Sequence, residues 1–254
     1  MALLEISNVS LSFGGLRALS HFNFSLDRGE LVALIGPNGA GKTTAFNVVT
    51  GVYAPHEGTL LIGRQSIRSK KPFRINRLGI ARTFQNIRLF TGLSVLENVL
   101  VAENHSIQHS LASAVLRTSG FTAEESRQTA RAMEILETFS LSDRADDPAG
   151  SLPYGQQRRL EIARALATDP KILLLDEPAA GMNPNEKLQL IELIQFIRDR
   201  FKVGIWLIEH DMNLIMSISE RITVLDHGEI IAVGPPSEIR TNPKVIEAYL
   251  GGSA

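Results

Sequence analysis

"GPNGAGKT", residues Gly36 to Thr43, follows the apolar run Leu31-Val32-Ala33-Leu34-Ile35 directly. Five consecutive apolar residues bounded by glycine have the length and pattern of a buried strand. The eight residues after them suit neither strand nor helix, because three glycines and a proline leave few side chains to pack. They do match G-x-x-x-x-G-K-[ST] in the strand-then-helix context that this spacing needs. There, backbone N–H groups wrap an anion and the helix N-terminus adds its positive dipole end. On this reading Gly36, Pro37, Asn38, Gly39, Ala40 and Gly41 form a phosphate cradle, and Lys42 reaches the β- and γ-phosphates of a nucleotide. Thr43 offers its hydroxyl to Mg²⁺, and Thr44 continues the phosphate-facing turn.

A phosphate cradle says nucleotide without saying which reaction. The second half of the chain supplies "KILLLDEP", Lys171 to Pro178, an apolar strand ending in two carboxylates. Asp176 is placed to hold Mg²⁺ through water, and Glu177 to polarise an attacking water. One carboxylate serves a metal; two suggest hydrolysis. Taken alone, the pair also fits a surface turn capped by proline.

Composition limits the partners. The chain has 254 residues, 44% of them hydrophobic and 21% charged, enough for one sizeable core with a subdomain. With 26 basic against 27 acidic residues the net charge is −1, so no overall attraction to nucleic acid is expected. Zero cysteines exclude disulfides, thiolate metal sites and a cysteine nucleophile, and fit a reducing compartment. The N-terminus lacks a basic and apolar leader, and no apolar run approaches the ~18 residues of a membrane span. A soluble chain is expected, with any membrane role depending on partners.

Strand-length apolar runs alternate with helical patterns at Leu31–Ile35, Ile172–Leu175 and Val203–Ile208, the signature of a parallel α/β sheet. Between Leu3 and Ile67, shorter pieces such as Leu3–Val9 and Thr59–Ile62 are separated by glycine-bearing turns, predicting an antiparallel sheet. The middle reads as helical. Ser94–Glu97 and Thr122–Glu125 both have capping-box spacing, and Ala132, Ile135, Leu136 and Phe139 form an i, i+3, i+4, i+7 stripe. The expected organisation is an α/β core from 1–96 and 151–254 with a helical insertion at 97–150. The basic stretch from Arg64 to Arg88, which includes Arg68, Lys70, Lys71, Arg74, Arg77 and Arg82, reads first as a solvated face. Contact with a partner or with membrane headgroups is the alternative.

Five ordered segments, "GPNGAGKT", "RTFQN", "LPYGQQRRLEIARAL", "ILLLDEP" and "IEHDM", together resemble the ATP-binding cassette ATPases, motor subunits of membrane transporters, over essentially the whole chain. The resemblance implies the P-loop ATPase fold, ATP with Mg²⁺, and a dimer. It implies that Phe13 stacks on adenine and that His210 contacts the γ-phosphate. Gln85 is implied to contribute at the metal and to link the nucleotide site to a membrane partner. Tyr154, Gly155 and Gln156 are implied to close on ATP bound by an opposing cassette.

Two positions depart from the general cassette pattern. The signature usually read Leu-Ser-Gly-Gly-Gln is here Leu152-Pro153-Tyr154-Gly155-Gln156, which removes a serine hydroxyl, and Asn183 stands where an acidic residue is common. Gly155 and the N-terminus of a helix from about Gln156 to Ala167 still suit an anion. "YGQQRRLEIAR", "RTFQNIRLF", "DEPAAGMNP", "LIEHDM" and the ending "NPKVIEAYLG" resemble the cassette subunit of branched-chain amino-acid importers. That branch implies permease subunits, a second cassette, a substrate-binding protein acting through the permeases, and a peripheral place on the cytoplasmic face of the inner membrane. A homodimer in isolation stays open, as do urea, short amides or lipopolysaccharide as cargo. Outside transport, the alternatives are a soluble cassette ATPase, which usually has two fused cassettes or a long coiled coil, and a P-loop kinase, which gives the signature and His210 no role.

Overall fold

Strands β1 (Leu4–Phe13) and β2 (Leu16–Leu26) pair antiparallel around the Gly14-Gly15 turn, from Leu4 opposite Leu26 to Phe13 opposite Leu16. In the computed structural model, which describes residues 2–103 and 119–250, β4 (Glu57–Ile62) adds antiparallel to the other edge of β1, and β5 (Gln65–Ser66) follows it. This four-stranded sheet has the order β2-β1-β4-β5.

The second sheet has six strands in the order β10-β9-β3-β8-β7-β6. It contains β3 (Leu31–Ile35), β6 (Ile80–Arg82), β7 (Ile172–Asp176), β8 (Gly204–Ile208), β9 (Arg221–Asp226) and β10 (Glu229–Gly234). Five of them run parallel, and β10 returns antiparallel to β9. Every residue of β3, β7 and β8 is buried, which is why these segments are apolar runs, broken only by Asp176 at the end of β7: both faces of the sheet are covered. Trp206 on β8 ties the two sheets together. Its ring lies 4.0 Å from that of Phe24 on β2, and 4.9 Å from that of Phe46 on α1 (Lys42–Val49). The short α2 (Pro72–Arg77) precedes β6.

Two compact units result: Met1–Gln85 with Pro170–Ala254, and Asn86–Asp169. The second unit holds α3 (Val95–Glu103), α4 (Ser119–Thr138) and α5 (Tyr154–Ala167). It is wider than the 97–150 expected from sequence because both flanks are tied into it. The buried Asn98 donates to the carbonyls of Phe90 and Ser94 and accepts from the Phe90 N–H, which fixes the 90–94 turn. On the other flank α5 buries Leu160, Ile162 and Ala163. The Ser94–Glu97 capping box forms: Glu97 accepts from the Ser94 N–H at 2.7 Å, and Ser94 Oγ from the Glu97 N–H at 3.1 Å. The Thr122–Glu125 box does not start a helix, because α4 is already running at Ser119. The expected stripe holds, with Ala132, Ile135, Leu136 and Phe139 all buried. Residues 104–118 of the expected helical insertion lie outside the described residues.

The chain ends through α6 (Pro184–Phe201), α7 (Met212–Ile218), α8 (Pro236–Thr241) and α9 (Pro243–Leu250). No helix among the described residues is long and apolar enough to cross a membrane.

Candidate functional site

The loop between β3 and α1 is shaped by backbone that only glycine tolerates. Gly36 has φ +152° and a Cβ there would lie 2.0 Å from the Leu225 carbonyl oxygen; Gly41, at φ +106°, would place one 2.5 Å from that of Ala18. Gly41 is the N-cap of α1 and offers no side chain, and the first turn has no acidic residue. The positive end of the helix is therefore left for an outside anion.

Lys42 is buried and folds back on the loop, its Nζ donating to the carbonyls of Gly36 at 2.6 Å and Pro37 at 2.9 Å. Burial pushes its ammonium below the usual lysine range, while the negative charges of Glu177 and Asp176 act the other way. The Thr43 side chain is exposed and makes no hydrogen bond among the described residues, so its hydroxyl is available.

Asp176 ends β7 and Glu177 follows in left-handed backbone, φ 49°, a strained conformation for a residue other than glycine. Both Glu177 oxygens are taken: Gln85 Nε2 donates to Oε2 at 2.8 Å, and His210 Nε2 meets Oε1 at 2.5 Å. A carboxylate only accepts, so Nε2 carries the proton in that contact. His210 is itself positioned by Glu209, whose Oε2 accepts the His210 N–H at 2.8 Å while Oε1 accepts that of Ala179 at 2.8 Å. Sequence reasoning missed Glu209, although it sits inside "IEHDM".

Arg82 was missed as well. The basic stretch from Arg64 to Arg88 reads as solvated, yet the Arg82 guanidinium is buried, donating to Asp176 Oδ2 at 2.7 Å and to Asn47 Oδ1 at 2.7 Å. The two apolar residues before it, Ile80 and Ala81, were the available signal, since they place Arg82 at the end of a strand. Asp176 Oδ1 has no hydrogen bond among the described residues. The free hydroxyl of Thr43 and this free carboxylate oxygen are each a hard oxygen donor of the kind that suits Mg²⁺.

Phe13 is 44% exposed at the end of β1, its ring edge-on to Tyr53 at 5.0 Å. In the other unit, Pro153 is the N-cap of α5 and supplies no side-chain cap, so Tyr154, Gly155 and Gln156 open the helix two residues earlier than sequence suggests. The Tyr154 hydroxyl accepts from Arg158 Nη2 at 3.2 Å, and Arg158, fully buried, pairs with Glu161 at 2.9 Å. Asn183 caps α6: its Oδ1 accepts the Glu186 N–H at 3.0 Å, and Glu186 returns the bond to the Asn183 N–H at 2.9 Å. A cavity of about 720 Å³ borders the loop at Pro37, Asn38, Gly39 and Ala40 and extends toward Lys244 and Glu247; Lys42, Asp176 and Glu177 do not line it.

Residues 19–180 match the family described as ABC transporter, and 229–254 the one described as branched-chain amino acid ATP-binding cassette transporter. The chain is 48% identical to the high-affinity branched-chain amino acid transport ATP-binding protein LivG of Escherichia coli K12, over 98% of each chain. It is 45% identical to BraF of Pseudomonas aeruginosa, which carries the same description, again over 98% of each. Among solved structures, the ADP conformation of MJ1267, an ATP-binding cassette of an ABC transporter, superimposes with a TM-score of 0.86 at 32% identity, covering 99% of both chains.

Proposed function

Because the chain belongs to the ABC transporter family of ATP-binding cassettes, we propose that it is the ATP-hydrolysing subunit of a branched-chain amino-acid importer. The observation that carries the hydrolytic reading is the Glu177 carboxylate, held by Gln85 on one oxygen and His210 on the other, one residue beyond Asp176. The cargo reading rests on similarity along the whole chain to LivG and BraF.

The P-loop N–H groups and the start of α1 bind the phosphates of ATP. Lys42 exchanges its two carbonyl partners for the β- and γ-phosphate oxygens, anions that offset the loss of proton affinity that burial imposes on it. Thr43, Asp176 and Gln85 would hold Mg²⁺, which would neutralise charge on the phosphates. Arg82 holds Asp176 in place through its guanidinium. Glu177 accepts a proton from the attacking water, and His210 fixes the carboxylate and reaches toward the γ-phosphate. Phe13 supplies a face for adenine.

Tyr154, Gly155 and Gln156 act on ATP bound by an opposing cassette, with N–H groups at the α5 N-terminus as donors. The chain sits peripherally at the cytoplasmic face of the inner membrane. There it is joined to permease subunits and a second, different cassette, and a substrate-binding protein delivers cargo to the permeases.

Phosphate release from ATP, measured for the chain and for Lys42→Ala, tests the ATPase. Leucine uptake in cells lacking their own importers, restored by this chain with its permeases and binding protein, tests the cargo. Restored uptake of urea in place of leucine would reassign the cargo and leave the motor intact.

A further inference from the structure

From residue 58 to residue 85 the chain carries seven Lys or Arg and no Asp or Glu, although 26 basic and 27 acidic residues balance over the whole sequence. The fold consumes two of the seven. Arg82 serves Asp176 and Asn47, and Arg68 donates to the carbonyls of Pro55, His56 and Gly58. Lys71, Arg74 and Arg77 are exposed on or next to α2, and none forms an ion pair among the described residues. Two arginines elsewhere in the same unit are paired, Arg198 with Glu220 and Asp199 and Arg221 with Glu30, whereas these three cations stand together without a carboxylate among the described residues.

Among these cations stands Phe73, 53% exposed, with the Arg74 and Arg77 guanidinium carbons each 5.8 Å from its ring centroid. The turn packed against α2 adds a second apolar side chain, Val52, 52% exposed. That packing is close, since a Cβ at Gly51 would lie 2.4 Å from the Lys70 carbonyl oxygen and 2.7 Å from Ile75 Cδ1. Unpaired cations around exposed apolar side chains are unfavourable in water on both counts: the charges repel and the ring stays hydrated. A bilayer interface takes both, phosphates for the cations and the headgroup boundary for the ring.

We propose that α2 and the turn beside it form a docking patch for anionic phospholipid headgroups, with Lys71, Arg74 and Arg77 on the phosphates and Phe73 entering the interface. Cargo identity has no part in this, because lipid alone is the ligand. The test is co-sedimentation of the full chain with vesicles of phosphatidylcholine alone, or of phosphatidylcholine with phosphatidylglycerol. Binding should require phosphatidylglycerol and weaken with salt. The variant Lys71→Gln/Arg74→Gln/Arg77→Gln should bind on the order of 10²-fold more weakly, at about fivefold per cation, and Phe73→Ser should weaken it further. Phosphate release should be unchanged, which also shows that the variants fold. Equal binding to both vesicle types, or undiminished binding of the triple variant, overturns the proposal. If the triple variant instead keeps vesicle binding and loses co-purification with permeases in detergent, the patch serves a protein.

Discussion

Glu177 is constrained three times over: by left-handed backbone, by Gln85 and by His210. Positive φ in a non-glycine residue costs free energy that only surrounding contacts can sustain, and here they aim a carboxylate whose two oxygens are already engaged. Glu177→Gln keeps the shape and removes the base, so hydrolysis should slow by roughly 10²–10⁴-fold while nucleotide affinity is retained. Phosphate release and nucleotide titration read these separately, and unchanged release removes Glu177 from the chemistry. Arg82 carries a stability prediction instead. Arg82→Met leaves Asp176 buried without its cation, and loss of one partner of a buried pair typically costs about 3–5 kcal/mol. Urea unfolding measures it; a loss below about 1 kcal/mol would mean that Asp176 finds another partner or water. Asp176 and Glu177 were legible in sequence as the carboxylates that end an apolar run, and Gln85 and His210 through the resemblance; the structure brings Gln85 and His210 onto Glu177. Arg82 was not, since one arginine among several in a basic stretch looks like the rest until the strand before it is paired.

Elements were legible where periodicity and caps agree. The buried strands β3 and β8 are apolar throughout and β7 is apolar up to its last residue, Asp176, and the Ser94–Glu97 box marks where α3 begins. Thr122 and Glu125 have the same spacing inside α4, because four residues with polar ends are common within an exposed helix and only the preceding backbone tells a cap from an interior turn. Asn183, a departure from the acidic residue common there, keeps the N-cap role through its amide oxygen. The α6 helix also holds α7 through Lys187, whose Nζ donates to Asp211 Oδ2 at 2.7 Å, while Asp211 Oδ1 caps α7. The Lys187 hydrogen bond, then the α7 N–H groups, hold the Asp211 carboxyl below its ordinary value, and Asp211 holds the Lys187 ammonium above its own. A depressed carboxyl contributes stability above its unfolded pKa and loses it as pH falls through the folded one. A raised ammonium contributes below its unfolded pKa and loses it as pH rises through the folded one. The pair is therefore fully effective between those limits. Lys187→Met should cost about 0.5 kcal/mol at neutral pH, a small figure because both side chains are partly exposed and solvent-screened. The difference from wild type should vanish in acid below the folded Asp211 value. Urea melts across a pH series check this, and a gap that stays constant into acid would assign the loss to packing of the lysine stem.

At the scale of the whole molecule, the P-loop and the α5 N-terminus belong to different compact units of the chain. Both present N–H groups with no side-chain cap, so each is a potential anion site, and one triphosphate bound between two chains would use one of each. Sequence spacing shows both ends but not whether they serve one copy or two, because motif order along a chain carries no information about which molecule supplies the partner. Gly155 separates the possibilities. It is buried in the first turn of α5, where the helix dipole offsets part of the cost of burying an aspartate, so circular dichroism checks that Gly155→Asp folds before its carboxylate is read as set against a phosphate placed there. Pro153 makes the position more sensitive, since a residue with neither hydroxyl nor N–H leaves the neighbouring backbone donors to carry the contact, and a hydrogen bond to a charged group is worth about 1.5–3 kcal/mol. Gly155→Asp is expected to leave nucleotide binding by the isolated chain nearly intact and to abolish turnover at the composite site of the assembled transporter. In an assembly of two different cassettes the loss is confined to the site completed by this chain's α5, so up to half of the activity can persist. Weakening of monomer binding in proportion to turnover would instead place the segment at its own P-loop, and the arrangement across two chains would fail.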